Sequence, residues 1–386
     1  PWRNGSMRST SGTISTTASL PDERPFLRQL ATVRWALLIA ALLISVIGLV
    51  TVHSASSELS IDYLPRQAIW LGLGLLVFVV AFSFDYQCLT KFSIPIYVIS
   101  MVLLLLVLFV GKEAGGARSW LGFGAYRLQP SEFAKITTAL LLARYLAGIN
   151  RRYLSLGQIL TATAIVALPM VLVALESDLG GAVMYVPMLG GMLVVAGVPW
   201  RYFAVGAAIG LVLAVVGWNL VMLDYQKDRV RTFISPGSDP QGAGYQLRQS
   251  KIAVGSGQLT GRGYQQGTQS QLRFLPARHT DFIFAVLAED WGFIGVATVL
   301  ILYALYILNG TKVALRARDR AGILLIVGLL SGFAFHVLYN TAMVVGLVPI
   351  TGIPLPFLSY GGSFTLANFI AAGLILGVDF RRHVNR

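Results

Sequence analysis

Residues 92–111 read FSIPIYVISMVLLLLVLFVG, an apolar run without a single charged side chain. At 1.5 Å of rise per residue, a helix of this length crosses a hydrocarbon core about 30 Å thick. A helix is expected because a segment inside a bilayer must satisfy its own backbone hydrogen bonds. The alternating pattern of about ten residues that marks a lipid-facing barrel strand is missing. The run therefore predicts a transmembrane helix.

The rest of the chain has the same character. Of its 386 residues, 55% are hydrophobic and 12% are charged, and the mean hydropathy is +0.70, whereas a soluble domain carries roughly 25% charged residues. Apolar runs bounded by polar, Gly or Pro residues predict an all-α polytopic integral membrane protein. About ten transmembrane helices are expected, at 34–53, 66–83, 92–111, 131–148, 158–175, 179–197, 200–222, 281–308, 321–347 and 363–380.

The remaining segments predict the domain organisation and the orientation. Residues 1–30 are rich in Ser, Thr and Arg and hold no apolar run, which predicts a disordered cytoplasmic tail, and PWRNGS before Met7 is expected to be a cloning remnant. Residues 31–383 are expected to form a single membrane domain. Basic residues concentrate in short loops that are cytoplasmic if both termini lie inside. These residues are Arg24, Arg28, Lys91, Arg151, Arg152, Arg201, Lys312, Arg316, Arg318, Arg320, Arg381 and Arg382.

Four segments are then predicted on the outer face, at 112–130, 176–179, 223–280 and 348–362. The long loop 223–280, between the seventh and eighth helices, carries eight basic and three acidic residues. It is either an ordinary solvated loop or a surface that attracts a polyanion. At this location the polyanion would be anionic lipid or lipid-linked phosphate rather than nucleic acid.

Metal and redox chemistry have little support in the sequence. The single cysteine, Cys88, excludes an internal disulfide. The four histidines, His53, His279, His336 and His383, lack the spacing of metal ligands. A zinc site, a redox site and an organic cofactor are therefore not expected.

The outer segment 116–135, GARSWLGFGAYRLQPSEFAK, combines glycines, Arg118 and Trp120 with a helix opened by proline. Glu132 and Lys135 lie one turn apart on that helix and can pair. One interpretation makes Trp120 an interfacial anchor and the Glu132–Lys135 pair a snorkelling ion pair. Charges at membrane depth are costly unless they pair or face a cavity, which favours a functional role.

Two further outer turns are rich in polar residues or glycine. LESDLGG, 175–181, places Glu176 and Asp178 in a turn too short for a simple solvated linker. IPLPFLSYGGSF, 353–364, has two prolines that force an extended approach to Ser359 and Gly361. Glycine lets the backbone come close to another group. This turn is therefore either a helix cap or a set of amide donors for phosphate oxygens.

The stretch FLPARHTDFIFAVLAED, 274–290, brings carboxylates to the start of an apolar helix. Asp281 at the junction is either an N-terminal cap or a general base, since a carboxylate at the water boundary can stay ionised while partly desolvated. Glu289 and Asp290 lie about 12 Å further along the helix. They are expected to face the bundle interior and to hold it together through polar partners.

Six stretches resemble the SEDS family (shape, elongation, division, sporulation), in the same order and spacing, over residues 30–383. They are QPSEFAK at 129–135, ESDLGG at 176–181, GYQLRQSKIAVGSGQLTGRG at 244–263, QGTQSQLRFLP at 266–276, HTDFIFAVLAEDWGFIG at 279–295 and PLPFLSYGGS at 354–363. The stretches GTQSQL and DYQKDRVRTFISP resemble the RodA branch, which acts in elongation, more than the FtsW branch, which acts in division.

The resemblance implies a ten-span peptidoglycan glycosyltransferase that polymerises lipid II on the outer face of the bacterial cytoplasmic (inner) membrane during cell elongation. It implies a class B penicillin-binding protein as the transpeptidase partner, together with other membrane proteins of the elongation complex. The family's essential loop aspartate falls on Asp281, and its helix pair falls on Glu132 and Lys135. Further motif positions fall on Arg118, Trp120, Ser359 and Gly361.

For such an enzyme, Asp281 is expected to take the proton from the GlcNAc 4-hydroxyl of one substrate, with inversion at the anomeric carbon of the other. Lys135 and Arg118 are the first candidates for binding the diphosphate, with Arg248 and Arg262 behind them. A divalent cation, Mg²⁺ or Mn²⁺, is a further candidate near Asp281. Asp178 and Glu289 are expected to be structural polar residues.

Two other functions compete with this one. A lipid II flippase or transporter also suits a polytopic bundle with buried acidic residues, but no internal repeat is obvious and the polar motifs gather at the outer boundary rather than at mid-membrane. A scaffold for a partner enzyme would leave Glu132, Asp178 and Asp281 on one side without a reason. Polymerisation and translocation assays separate the three functions.

Overall fold

The computed structural model describes residues 30–57, 63–114, 117–123, 126–149, 153–220, 222, 224–235, 239 and 242–382. Its elements in chain order are α1 (Ala36–Ser56), α2 (Leu64–Ser83), α3 (Tyr86–Lys91), α4 (Ser93–Val110), β1 (Lys112–Ala114), β2 (Ala117–Phe123), β3 (Tyr126–Leu128), α5 (Pro130–Ala147), α6 (Leu156–Leu175), α7 (Leu179–Val183), α8 (Tyr185–Val195), α9 (Trp200–Leu220), α10 (Asp224–Ile234), α11 (Ala243–Ser256), α12 (Thr268–Gln271), α13 (Ile283–Ala314), α14 (Arg320–Val344) and α15 (Gly362–Arg381). The predicted tail falls almost wholly outside the described residues and stays a prediction, as does the single domain.

The predicted all-helical membrane fold is confirmed. Eight helices, α1, α2, α4, α6, α9, α13, α14 and α15, are long and apolar enough to cross a bilayer, and each coincides with a predicted segment. The other two predicted segments are helical as well. However, α5 carries Glu132, Lys135 and Arg144, and the α7–α8 pair is interrupted at Met184. Their crossing of the membrane remains a prediction.

The bundle is organised around α14, which packs against α5, α8 and α13, while α1 packs on α13 and α2 packs on α15. Aromatic side chains fill the interior, with Tyr303, Tyr306 and Phe357 only 1% exposed. Helix α9 is different, because no residue in its apolar, membrane-spanning stretch is buried inside the bundle. Its apolar side chains therefore face outward on every side, and the site described below is built by the remaining helices and the outer segments.

Helix α13 consists of two parts separated by Gly292, whose φ of 61° and ψ of −158° interrupt the helix. A Cβ at this position would stand 2.3 Å from the Gly261 nitrogen, so both the conformation and the close approach require glycine. The eight residues from Ile283 to Asp290 are all buried. The break makes the first part of α13 a short buried helix beneath the outer segments, separate from the longer spanning part.

The outer segment 112–130 forms a small antiparallel sheet of order β1-β2-β3, where a loop is expected from the sequence. Leu121 pairs with Leu128, and Lys112 pairs with Trp120. The glycines at 115–116 and 124 stand between the strands in sequence, the positions at which tight turns favour glycine. The loop interpretation missed these strands because each is short and none has a long alternating pattern.

The segment 223–280 also holds more structure than the predicted loop, namely α10, α11 and α12. Helix α11 buries Leu247, Ser250 and Ala253, which share one face at three-residue spacing. That face lies against α13, and the Ser250 hydroxyl donates to the carbonyl of Val344 at 2.8 Å. These helices escaped the sequence interpretation because they are short and polar, whereas membrane helices are recognised by long apolar runs.

Candidate active site at the outer segments

Asp281 lies just before α13 and is held through its backbone on both sides. Its N–H donates to the Ala277 carbonyl at 3.1 Å, and its carbonyl accepts a hydrogen bond of 2.8 Å from the Asn340 side chain of α14. Oδ2 of Asp281 stands 3.4 Å from the point a Cβ on Gly352 would occupy. The N-cap of α13 is Phe282, with no side-chain cap, so the helix-cap alternative for Asp281 lacks its hydrogen bond.

The electrostatic environment of Asp281 suits a general base. Burial raises the pKa of Asp281 to about 6, while the positive charge of Arg229 and the Thr280 side chain favour the ionised form. A carboxyl group with a pKa close to the working pH is ionised at neutral pH and still basic enough to accept a proton. This half-buried carboxylate is therefore poised between water and the bundle.

Asp178 lies in the same electrostatic neighbourhood, because the charges of Asp178 and Arg229 both act on Asp281. The Asp178 carboxylate caps α7 by accepting from the Gly181 N–H at 2.7 Å, and it accepts from the Gln129 side chain at 3.1 Å. Burial raises the pKa of Asp178, whereas Lys135 and Arg229 act in the opposite direction. Asp178 thus fastens the turn to α7 and Gln129 and adds negative charge near Asp281.

Arg229 is a site residue that sequence reasoning missed. It lies on α10 in a shallow depression with Pro349 and Ile350, and its charge acts on both Asp178 and Asp281. In the sequence it is one of eight basic residues in a long loop, and no spacing rule separates it from the others. Only the folded structure of that segment brings the Arg229 charge close to Asp178 and Asp281.

Lys135 forms the predicted ion pair, with Nζ 2.8 Å from Oε2 of Glu132. It also lies 3.4 Å from Nε2 of His336 on α14, and Nδ1 of that histidine is 3.2 Å from the Pro354 carbonyl. Because a carbonyl only accepts, Nδ1 carries the proton and Nε2 offers its lone pair to Lys135. His336 was missed from the sequence, although a histidine inside an apolar segment is a signal for a polar partner.

The turn 176–181 joins the small sheet to the loop that contacts Asp281. The Arg118 N–H donates to the Glu176 carbonyl at 3.0 Å, and a Cβ on Gly180 would lie 2.8 Å from the Thr351 carbonyl. Glu176 is 1% exposed, and burial together with Asp178 raises its pKa to about 8. A neutral carboxylic acid is therefore expected there at pH 7.

The predicted residues of the small sheet both lie on β2. Arg118 is exposed and Trp120 is half-buried. The Arg118 backbone is anchored to the turn that carries Asp178, which brings its strand to the edge of the site. Trp120 pairs through its backbone with Lys112, a position that agrees with either a substrate contact or an interfacial anchor.

Ser359 and Gly361 are used in hydrogen bonds that position the site. The buried Ser359 hydroxyl donates to the Thr280 carbonyl at 2.7 Å and accepts from the Leu355 N–H at 2.9 Å. The Gly361 N–H donates to the Gln67 side chain at 3.3 Å, so this amide is engaged rather than offered to a phosphate. These two residues act through the backbone next to Asp281.

Glu289 lies in the first, buried part of α13. It is 0% exposed, and its carboxylate accepts from the backbone N–H groups of Gln269 and Ser270 at 2.8 and 3.0 Å. Arg248 and Arg262 are exposed. The Arg262 N–H is bound to the Glu289 carbonyl at 2.9 Å, about two helical turns from Asp281. It is Arg229, rather than either of these arginines, whose charge acts on Asp281.

Arg278, one of the eight basic residues of the segment 223–280, does not face solvent. Its side chain is 3% exposed, with Nε donating to the Ala55 carbonyl at 2.6 Å and a second nitrogen donating to the Ser270 carbonyl. The Arg278 guanidinium group therefore fastens the loop to the outer end of α1. Arg231 is exposed and pairs with Asp228 at 3.1 Å, so neither Arg278 nor Arg231 is an unpaired cation at the surface of this segment.

Three turns around Asp281 contain non-glycine residues with left-handed backbone conformations. They are Ser177, Ala277 and Phe357, with φ values of 66°, 48° and 64°. Each such conformation costs on the order of 1 kcal/mol, and such residues cluster at functional sites where the surrounding structure enforces them. The turns of Ala277 and Phe357 are joined by the hydrogen bonds from the Tyr360 N–H to the His279 carbonyl and from the Ser359 hydroxyl to the Thr280 carbonyl.

Within the described residues, no group of three or more His, Cys, Asp or Glu side chains is arranged to hold a metal ion. Asp178 nevertheless lies close enough to Asp281 for its charge to raise the pKa of Asp281. Mg²⁺ is commonly bound by one or two carboxylates together with substrate phosphates and water. These two residues fit a divalent cation that arrives with a diphosphate, rather than one enclosed by protein ligands.

Comparisons with known proteins identify the family of this chain. The FtsW/RodA/SpoVE family, described as cell cycle proteins, matches residues 34–384. Peptidoglycan glycosyltransferase MrdB of Escherichia coli (strain K12) is 39% identical over 352 residues, which cover 90% of this chain and 93% of that protein. Rod shape determining protein RodA of Thermus thermophilus is similar in structure, with a TM-score of 0.69 and 30% identity over 91% of this chain and 97% of that chain.

A second structural likeness is to a chain in a peptidoglycan synthase complex whose structure describes the coordination of polymerization and crosslinking. The TM-score is 0.79 at 32% identity, covering 91% of this chain and 98% of that chain. Sequence and structure therefore agree over nearly the whole length. The chain belongs to the FtsW/RodA/SpoVE family of cell cycle proteins, the SEDS family that its six sequence stretches resemble.

Proposed function

We propose that this protein is a peptidoglycan glycosyltransferase that polymerises lipid II at the outer face of the bacterial cytoplasmic membrane during elongation. The observation that carries the proposal is the position of Asp281. Its backbone is hydrogen-bonded on both sides, the residue is half-buried, and burial raises its pKa to about 6. The relative MrdB is named as an enzyme of this activity, and the similarity to RodA supports a role in elongation rather than division.

In the proposed reaction, the Asp281 carboxylate accepts the proton of the GlcNAc 4-hydroxyl on one lipid II molecule. The oxygen forms a bond to the anomeric carbon of the second molecule, while the bond from that carbon to the diphosphate breaks. A single displacement inverts the anomeric centre. The proton then leaves Asp281 for solvent, and the departing diphosphate carries the negative charge.

Cations must stabilise that leaving group. Lys135 and Arg229 are the leading candidates, because both act electrostatically on Asp178 beside the base. Arg118 at the edge of the sheet is the third candidate. A divalent cation, Mg²⁺ or Mn²⁺, bound with Asp281 and Asp178 would supply further positive charge to the phosphate oxygens. Glu132 and His336 orient the Lys135 ammonium group rather than touch the substrate.

The proposed location and partners follow from the same family membership. Basic residues at the inner ends of the helices, such as Arg320 and Arg381, support cytoplasmic termini. A relative of similar structure is part of a peptidoglycan synthase complex, which supports a class B penicillin-binding protein as transpeptidase partner. Other elongation-complex membrane proteins complete the proposed assembly.

The decisive experiment uses purified protein with lipid II. Asp281→Asn should lower polymerisation by about 10²- to 10⁴-fold, the usual contribution of a general base. Asp224→Asn, which changes an acid in the outer segment on α10, is the matched control and should retain activity. Wild-type rates from Asp281→Asn would refute the assignment of the base. Translocation of lipid II by liposomes without any glycan product would favour the flippase alternative.

A further inference from the structure

Three aromatic rings from separate parts of the chain meet next to Asp281. Tyr63 precedes α2, His279 precedes Asp281 by two residues, and Tyr360 precedes α15. The Tyr63 and His279 rings are stacked, with centroids 4.5 Å apart and an interplanar angle of 11°. Tyr360 lies 4.7 Å from Tyr63 and 5.8 Å from His279, tilted against both rings. We call these three residues the aromatic platform.

The platform is fixed relative to the proposed base. The Tyr360 N–H donates to the His279 carbonyl at 3.0 Å, and the neighbouring Ser359 hydroxyl donates to the Thr280 carbonyl at 2.7 Å. Gln67, one turn beyond Tyr63 on α2, donates to the Ser359 carbonyl at 3.4 Å. His279 is part of the segment carrying Asp281, Tyr360 is hydrogen-bonded to it, and Tyr63 is linked to it indirectly, because its carbonyl accepts from the N–H of Gln67 at 2.9 Å.

The platform differs from the aromatic clusters of the interior. Tyr306 and Phe357 are 1% exposed and fill the core, whereas all three platform rings are partly exposed. Arg66 lies on the first turn of α2, is exposed, and interacts with the Tyr360 hydroxyl. Burial, followed by the charge of Arg278, lowers the pKa of His279, so its ring is neutral at pH 7. The aromatic platform and Arg66 together offer ring surface, neutral hydrogen-bonding atoms and one guanidinium group.

This combination matches a sugar that carries a carboxylate. Aromatic faces have negative quadrupole charge and attract the C–H face of a pyranose ring, while tyrosine and histidine keep polar atoms for hydroxyl groups. An arginine at the rim pairs with carboxylates. A tyrosine that only anchors the protein at the membrane interface would work singly. Such an anchor does not need a second ring, whereas Tyr63 stacks on His279, which lies in the same segment as the proposed base.

We propose that Tyr63, His279 and Tyr360 form a glycan-binding subsite that holds a pyranose ring of the acceptor next to Asp281. This inference rests on the proposed function, because it identifies which part of the substrate lies beside the base. A general base must be within hydrogen-bond reach of the hydroxyl it deprotonates. A sugar ring adjoining that hydroxyl then lies over His279, which precedes Asp281 by two residues. Arg66 faces the carboxylates of the peptide attached to that sugar, or the lactyl carboxylate where the peptide is missing.

The test measures sugar binding without transfer. Lipid-free GlcNAc–MurNAc oligosaccharides are titrated into the full-length protein in detergent, in the Asp281→Asn background, with saturation-transfer NMR and calorimetry as readouts. Tyr63→Leu should weaken binding about tenfold, which corresponds to 1.4 kcal/mol. Tyr63→Phe keeps the ring and should bind within about threefold of its parent. Tyr202→Leu, the same change at the opposite end of the molecule, should have no effect.

Two outcomes would overturn the subsite, namely no oligosaccharide binding by the parent protein, or equal affinity in Tyr63→Leu. Melting curves identify a folding defect, and Tyr360→Leu takes the place of Tyr63→Leu if the latter unfolds. In the otherwise wild-type enzyme, Tyr63→Leu should raise the KM for lipid II while kcat changes less. Failure of the wild-type protein to polymerise lipid II is a separate result that refutes the proposed function, since the binding experiment requires no turnover.

Discussion

Nζ of Lys135 on α5 lies 3.4 Å from Nε2 of His336 on α14, and the same ammonium group is 2.8 Å from Glu132. The far side of the histidine ring is held by the Pro354 carbonyl. The Lys135 ammonium group is thus held by Glu132 of α5 and His336 of α14. Through His336 it is also held by the loop that runs to Ser359. Lys135, the proposed phosphate-binding residue, is therefore held in position before any substrate binds.

His336→Leu should reduce polymerisation because it removes the group that accepts from Lys135. A hydrogen bond to a charged group contributes about 1.5–3 kcal/mol, so kcat/KM should fall about 10- to 100-fold. His336→Gln, which retains hydrogen-bonding atoms, should lose less. Steady-state kinetics with lipid II measure the effect. Equal activity in His336→Leu and wild type would show that Lys135 needs no support from α14.

Glu132→Gln should act mainly on stability. The Lys135 side chain is only 16% exposed, and leaving a buried charge without its partner costs about 3–5 kcal/mol. Lys135→Met also leaves a buried partner, Glu132, unpaired, so it should lower the melting temperature too, but it removes the cation itself and should lower the rate of the remaining folded enzyme, which Glu132→Gln should not. Thermal melting and turnover are measured on the same samples. A pattern in which Lys135→Met lowers only the melting temperature would exclude Lys135 from substrate binding.

The ion pair of Asp379 and Arg382, at 2.6 Å, provides a matched control. It has the same three-residue spacing on α15 and lies at the opposite end of the bundle, where Asp379 also accepts from the Arg34 N–H at 2.8 Å. Asp379→Asn should lower the melting temperature and leave the kcat/KM of the folded enzyme unchanged. Loss of activity beyond the loss of folded protein would mean that this distant ion pair affects the outer site by more than its contribution to stability.

The rate of polymerisation should rise as the pH rises through about 6 and then level off. Burial raises the pKa of Asp281 to about 6, and only the ionised carboxylate accepts a proton. Below this value the rate should fall tenfold per pH unit. A pH profile of kcat/KM tests the expectation. An acid limb centred near 4, the ordinary value for an exposed aspartate, would show that burial does not control this group.

The same shift gives Asp281 a cost in stability with a definite sign. Its pKa in the folded protein is above its ordinary value of 3.8, so the folded state binds the proton more tightly than the unfolded chain does. The ionised carboxylate therefore disfavours folding progressively from about pH 4 to pH 6 and remains unfavourable above. Asp281→Asn should melt at a higher temperature than wild type at pH 7.5. The difference should shrink as the pH falls toward 4.

Arg229→Gln should move the acid limb of the pH profile to higher pH, because the positive charge of Arg229 favours the ionised form of Asp281. It should also weaken substrate binding if Arg229 contacts the diphosphate. Arg231→Gln is the control, since Arg231 lies on the same helix but is exposed and pairs with Asp228. Identical pH profiles for the two variants would remove Arg229 from the site.

Much of this protein is determined locally by its sequence. The run 92–111 predicts a helix because length and apolarity decide whether a segment spans a bilayer. The pairing of Glu132 with Lys135 follows from helical spacing. Asp281 stands out because a carboxylate at the start of an apolar helix is costly without a purpose. Each of these conclusions depends on neighbours within a few residues.

The tertiary structure alone decided which distant residues complete the site. Arg229 is one of several basic residues in a polar segment, and only the fold of α10 brings its charge to Asp281. His336 reaches Lys135 across 201 positions of sequence, and Tyr63 meets His279 only because α2 and α13 begin at the same face. Such contacts depend on how helices pack and how outer turns are hydrogen-bonded together. No local pattern encodes them, because the energy that fixes them comes from contacts between segments far apart in the chain.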